Sequence, residues 1–213
     1  MKIVYENGTG EIVEKKSRFI ANVFAVHTEE EAGQIIADIR KKYWDARHNC
    51  YAYVIGDNNE VQKFSDDGEP SQTAGKPIMD IITKEGVHNC MIIVTRYFGG
   101  TLLGTGGLIR AYQGASKEGL LASTLVNSEE GIRASIDTDY NNVGKIQYIC
   151  GQMDVDIVQT DYTENVHMEV LMSQDKYVHF VHRITDEFSG TLKVDKINDQ
   201  KFCKIPGKGL IQL

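Results

Sequence analysis

The segment CMIIVTRYFGGTLLGTGGLIRAY, residues 90–112, decides the fold. Residues 90–95 form a nearly pure apolar run between Asn89 and Arg96, and its length suits a buried central strand. The glycine-rich stretch 99–107 follows. From Leu108 onward, Leu108, Ala111, Tyr112, Ala115 and Gly119 mark one side of a helix, with small residues that permit close packing on a sheet. Arg110, Gln113 and Lys117 take the opposite side. A buried strand, a glycine loop and a helix in succession predict an α+β chain.

Working outward, Thr28 and Glu31 form a capping box ahead of Ala32, Ile35, Ile36, Ile39 and Tyr43, which predicts a helix over 28–43. Arg40, Lys41 and Lys42 in its last turn suit the helix dipole. Residues 17–26 read as a strand, and 50–55 and 60–64 as a hairpin around the turn signal Gly56-Asp57-Asn58-Asn59. Thr73 precedes a short helical pattern at Ile78, Ile81 and Ile82.

Residues 124–131, TLVNSEEG, are polar and without periodicity, and read as a linker. Beyond them, Ile132, Ala134 and Ile136 alternate with polar residues, and Val143, Ile146 and Ile149 recur at helical spacing. Two strands follow at 155–160 and 166–172, then a helix through Tyr177, Phe180, Val181, Ile184 and Phe188, then alternation at Leu192 and Val194. The order βαββαβ is the ferredoxin-like split arrangement. The expected organisation is therefore a first domain over 1–128, a ferredoxin-like domain over 129–199, and a peripheral tail over 200–213.

With 213 residues, 41% hydrophobic and 25% charged, the chain has the composition of a globular protein with a packed core. No apolar run is long enough to cross a bilayer and the N-terminal residues lack a signal-peptide pattern, so a cytoplasmic location is expected. Cys50, Cys90, Cys150 and Cys203 form no C-x-x-C pair and read as reduced, mostly buried thiols. A net charge of −7 argues against coating nucleic acid through bulk charge. Nucleic-acid contact would need a local patch, for which Lys15, Lys16, Arg18, Arg47, Lys76, Arg96 and Arg110 are available.

Three segments carry more polar and glycine residues than a fold requires. In the first, Asp45–Cys50, His48 beside Arg47 is either an acid/base or phosphate-contacting group or a half-buried histidine satisfying a loop carbonyl. In the second, Asp66, Asp67 and Glu69 either hold Mg²⁺ through oxygen ligands or accept backbone N–H groups, with Thr73 capping the next helix and Lys76 in its first turn. In the third, Gly99, Gly100, Gly104, Gly106 and Gly107 lie between Arg96 and Arg110. A glycine loop at a helix start is an anion site, or it serves tight turning and close packing alone. It meets neither the Walker A nor the dinucleotide spacing.

The stretches KKSRFIA (15–21), DARHNCYAY (45–53), SDDGEPSQTAGKPI (65–78) and RYFGGTLLGTGGLIRAY (96–112), in this order, resemble the signature of the YigZ/IMPACT family. The resemblance implies an N-terminal βα sandwich like the second domain of ribosomal protein S5, and a ferredoxin-like C-terminal domain akin to the last domain of translocase elongation factors. It also implies a role around translation. Eukaryotic relatives regulate the starvation-responsive initiation-factor kinase pathway by binding its activator, and for bacterial members the implied partners are nucleic acid or the ribosome. The chain departs from the common family pattern at Gln72, where glycine is usual, at Thr101 and Leu102, and at Tyr43.

Two classes of function follow. One is a binding module that engages RNA, the ribosome or a translation-control protein through the three loops. The other is an enzyme acting on a nucleotide or phosphate ester, with phosphate in the glycine loop, Mg²⁺ on Asp66, Asp67 and Glu69, and His48 as base. Ser65, Ser71 and Cys50 have no base partner in the sequence, so no covalent-catalysis signature is present. The second domain lacks stacking aromatics at outward strand positions such as Arg133, Asp137, His167, Glu169, Lys193 and Asp195, which argues against RNA reading of the RRM type.

Overall fold

The apolar run at residues 90–95 lies in the middle strand of a five-stranded antiparallel sheet, in a computed structural model that describes residues 1–205 and 208–213. The chain divides into two units, Met1–Asn127 and Ser128–Leu213.

The first unit runs β1 (Lys2–Glu6), β2 (Gly8–Glu14), β3 (Ser17–Ala25), α1 (Glu29–Lys42), β4 (His48–Ile55), β5 (Val61–Ser65), α2 (Gly75–Glu85), β6 (Val87–His88), β7 (Cys90–Tyr97), α3 (Gly104–Leu121) and β8 (Thr124–Asn127). Its main sheet has the order β2-β3-β7-β4-β5. Side chains alternate across β7, so Cys90, Ile92 and Val94 pack with Ile78, Ile82, Tyr112 and Ala115 of α2 and α3. Met91 and Ile93 face the other way and pack with Ala32 and Ile39 of α1. The sheet is thus covered on both faces, which explains why β7 is apolar throughout.

A second, three-stranded sheet of order β6-β1-β8 was not legible, because its strands are short and mostly half-exposed. The supposed linker over 124–131 is strand instead: its residues form β8 and the start of β9 (Glu129–Thr138). Their ladder bonds are made by backbone, so polar side chains do not forbid them. β2 was missed for another reason. A Cβ on Gly10 would lie 2.3 Å from the backbone of Glu118, so the strand is glycine-rich where α3 crosses it closely.

The second unit continues with α4 (Val143–Met153), β10 (Asp156–Tyr162), β11 (Val166–Ser173), α5 (Gln174–Glu187), β12 (Asp195–Ile205) and β13 (Gly209–Gln212). Its sheet order, β10-β11-β9-β12-β13, is the ferredoxin-like arrangement with one added edge strand. Ile136, Ile146, Ile149, Met168, Phe180 and Ile184 fill its core. The last strand of the βαββαβ order, β12, begins at Asp195, after Leu192 and Val194, and its exposed first half carries no apolar alternation to reveal it. The peripheral tail expected over 200–213 is correspondingly revised: residues 200–205 complete β12, 209–212 form β13 paired back on it, and Pro206 and Gly207 lie outside the described residues. On the outward face Arg133 pairs with Glu169, and His167 with Asp137.

Candidate functional site: a cleft built by three loops

Strand register sets the site. His48 of β4 and Phe19 of β3 lie opposite Arg96 of β7 on either side, so all three share the face covered by α2 and α3. Arg96 continues the inward series Cys90, Ile92, Val94 just past the apolar core. Its guanidinium lies 5.3 Å from the Phe19 ring centre and 5.6 Å from that of Phe98. Nη1 donates to Glu69 Oε1 at 2.6 Å, and both side chains are almost wholly excluded from water, at 7% and 3% exposure. Tyr112 Oη donates to the same Glu69 oxygen at 2.8 Å, and Cys50 Sγ lies 3.3 Å from that hydroxyl. Burial pushes the Cys50 thiol well above its usual range, so it is no thiolate nucleophile. The Tyr112 hydroxyl is raised for the same reason.

The loop after β5 is folded around its own carboxylates. Asp66 accepts from the backbone N–H groups of Gln72 at 2.8 Å, Ala74 at 3.0 Å and Gly75 at 2.8 Å, and so caps α2 from eight residues upstream of its N-cap, Ala74. Thr73 is not the cap that was expected. Its hydroxyl donates to the Pro70 carbonyl at 2.6 Å, because the oxygen of a nearer residue cannot compete with a carboxylate already aimed at the helix start. Asp67 Oδ2 accepts from Asn49 N at 2.7 Å and Oδ1 from Arg40 at 2.6 Å. Asp66, Asp67 and Glu69 therefore serve three different sets of partners. Among the described residues no three His, Cys, Asp or Glu side chains come together as a metal site, and the Mg²⁺ reading of these carboxylates is withdrawn. Gln72 stands at φ 61°, the left-handed backbone that favours glycine, in keeping with the family pattern from which this position departs in sequence.

The three segments meet in one cleft of about 430 Å³. Arg47 and His48 come from the first, Glu69 and Pro70 from the second, and Arg96, Phe98, Leu102, Leu103, Gly104, Thr105 and Leu108 from the third. His48 is half-buried with Nδ1 2.9 Å from the Asp67 carbonyl, so the loop-satisfying role is real even though the ring also lines the cleft. Phe98 and Leu102 are exposed.

The remaining expected residues fall elsewhere. Asp66, Asp67 and Thr73 brace the loop. Lys76 is exposed and paired with Asp80 at 2.6 Å. Gly99 packs so closely that a Cβ would lie 2.0 Å from the Lys16 backbone, and Gly100 takes φ 84°. Gly106 and Gly107 belong to the first turn of α3, which begins at Gly104. Four residues of low helix propensity with no apolar periodicity hid that start. Arg110 is exposed on α3 and reaches back toward Gly106, outside the cleft lining. Sequence reasoning missed Tyr112 and Cys50 as polar members of the network, since both read as core, and missed Pro70, Phe98 and Leu102, which have no periodic signal.

This combination defines an α+β protein of two units with a loop-built, partly apolar cleft in the first. The chain belongs to the IMPACT family. Residues 15–120 match the Impact N-terminal domain, and residues 136–191 match a domain of unknown function, DUF1949. The chain is 41% identical to the IMPACT family member YvyE of Bacillus subtilis, over 88% of this chain and 86% of that one. It is 35% identical to the IMPACT family member YigZ of Escherichia coli, over 87% and 92% respectively. A crystal structure described as that of a hypothetical protein superposes with a TM-score of 0.59 at 34% identity, covering 92% of this chain and 97% of the other.

Proposed function

We propose that this protein is a cytoplasmic translation-control binding module that engages RNA, free or within the ribosome, through the cleft of its first unit. The observation that carries the reading is the convergence of the three segments on one cleft although they span more than sixty residues of sequence. The charge around the cleft favours a nucleic-acid partner. Arg18, Lys76 and Arg96 are engaged by Glu11, Asp80 and Glu69. Among the described residues, Lys15, Lys16, Arg47 and Arg110 form no salt bridge, and the Lys15–Lys16 turn packs on Gly99 beside Phe98. Cations with an exposed aromatic ring suit a single-stranded backbone and its bases. Family membership supports the link to translation. No helix is long and apolar enough to cross a membrane among the described residues.

The test is the absorbance ratio of the purified protein before and after nuclease treatment, with co-sedimentation on ribosomes in parallel. Nuclease-sensitive absorbance or ribosome association is expected. A protein free of both that captures only a nuclease-insensitive protein partner would replace RNA with protein recognition.

A further inference from the structure

We infer that the cleft is a nucleotide-phosphate site, in which the first N–H groups of α3 and the unmet N–H of Arg96 take the phosphate and the apolar wall takes the base. This rests on reading the cleft as the binding surface. The 18-residue helix α3 starts with Leu103 as N-cap, no side chain among the described residues caps it, and its first turn has no acidic residue. The two other helices of the unit are served: α1 by Thr28 and three glutamates, α2 by the Asp66 carboxylate. The start of α3, Gly104 and Thr105, lines the cleft. Its free N–H groups and the positive end of its dipole favour an anion there.

A second, independent observation points to the same ligand. Arg96 Nε is buried and has no hydrogen-bond partner among the described residues, on a side chain 7% exposed that lines the cleft. A buried donor left unmet is costly, so an acceptor is expected to fill it when the site is occupied. Glu69 does not oppose an anion, because its charge is matched by Arg96 and its Oε1 is taken by Arg96 and Tyr112. Arg47, just before β4, adds donors at the rim that are unpaired among the described residues, and His48 lines the same wall with its Nδ1–H already given to the Asp67 carbonyl.

The rest of the wall is apolar: Phe98, Leu102, Leu103, Leu108 and Pro70. Inorganic phosphate alone would leave that wall unused. A volume of about 430 Å³ suits a small organic ligand, and an aromatic ring beside leucines suits a nucleobase. The ligand class is therefore a nucleoside monophosphate unit, whether a free nucleotide or the phosphorylated end of an RNA chain.

The experiment is a titration of the full-length, isotope-labelled chain with AMP, adenosine, inorganic phosphate, a short peptide with a free C-terminal carboxylate, and RNA oligonucleotides with and without a 5′-phosphate. The amides of Gly104 and Thr105 and the Nε–H of Arg96 are followed by NMR. AMP is expected to shift all three, phosphate to shift them more weakly, and adenosine to leave them in place. A preference for the 5′-phosphorylated oligonucleotide over AMP identifies the source as an RNA end, and the reverse a free nucleotide. Thr105→Glu places a carboxylate at the exposed second position of α3, where it suits the helix and occupies the anion site, so it should fold normally and weaken AMP binding about tenfold or more. No shift at these groups with millimolar AMP, an undiminished response in Thr105→Glu, or shifts by the peptide but not by AMP would overturn the assignment. If RNA or ribosome association survives while AMP fails, the phosphate site is wrong and the translation reading stands. AMP binding without any RNA or ribosome association would be the converse.

Discussion

Arg96 and Glu69, 27 residues apart in sequence, meet at 2.6 Å with both charges buried, and Tyr112 of α3 shares the same carboxylate oxygen. One carboxylate thereby ties the loop after β5 to the central strand and to the long helix, and the cleft depends on all three. Truncating one member of a buried pair leaves an uncompensated charge, at a cost of about 3–5 kcal/mol. Glu69→Ala should therefore lower stability by that order, whereas Glu69→Gln keeps an acceptor and should lose less. Urea denaturation followed by hydrogen exchange at the β7 amides checks this. Equal, small losses in both variants would show the pair to be energetically idle.

Asp66 acts as a remote cap. Asp66→Ala strips three backbone N–H groups of their acceptor, and hydrogen bonds to a charged group contribute roughly 1.5–3 kcal/mol each net of solvent, less where water can take the freed N–H. Fast exchange at the amides of Gln72, Ala74 and Gly75 and a fall in melting temperature are expected. Thr73→Ala should do much less, since Thr73 closes only a turn onto Pro70. The reverse ranking would restore Thr73 as the cap.

How far the fold was readable depends on where each element takes its stability. α1 was legible because Thr28 accepts from Glu31 N and Glu31 reaches back to His27 N, signals lying within five residues. β7 was legible because burial on both faces makes it uniformly apolar. The cap of α2 was not, because its carboxylate comes from an earlier turn and no local spacing encodes it. The start of α3 was hidden by glycines, and β12 by polar residues on an exposed strand. Within the site, the charged and glycine residues of the three loops were visible, but their division into cleft-lining and bracing roles needs register: only the opposition of His48 and Arg96 across two strands decides it.

The β2–β3 turn is built against backbone preference. Lys15 and Lys16 sit at φ 45° and 67° between the paired residues Glu14 and Ser17, where Asn-Gly would be favoured. A non-glycine residue in this region costs roughly 1–2 kcal/mol. Lys15→Asn with Lys16→Gly should therefore raise the melting temperature and, on the proposed function, weaken RNA binding. A stabilised variant with unchanged RNA affinity would mean that the lysines contact nothing.

We propose that the first unit is an independent folding domain, since β8 closes its second sheet at Asn127. A fragment of residues 1–127 should show protected amides in β7, while a molten, unprotected fragment would contradict this.

The central claim is that RNA is held at the cleft, and the most direct measurement is equilibrium binding of a single-stranded RNA to wild type and Arg47→Ala at two salt concentrations. Arg47 is exposed, lines the cleft and forms no salt bridge among the described residues, so its loss should leave the fold intact. The account predicts weaker binding in the variant and a slope of log affinity against log salt that is shallower by about one, because one phosphate contact releases about one fewer counterion. Identical affinity and identical slope in the two proteins would contradict it.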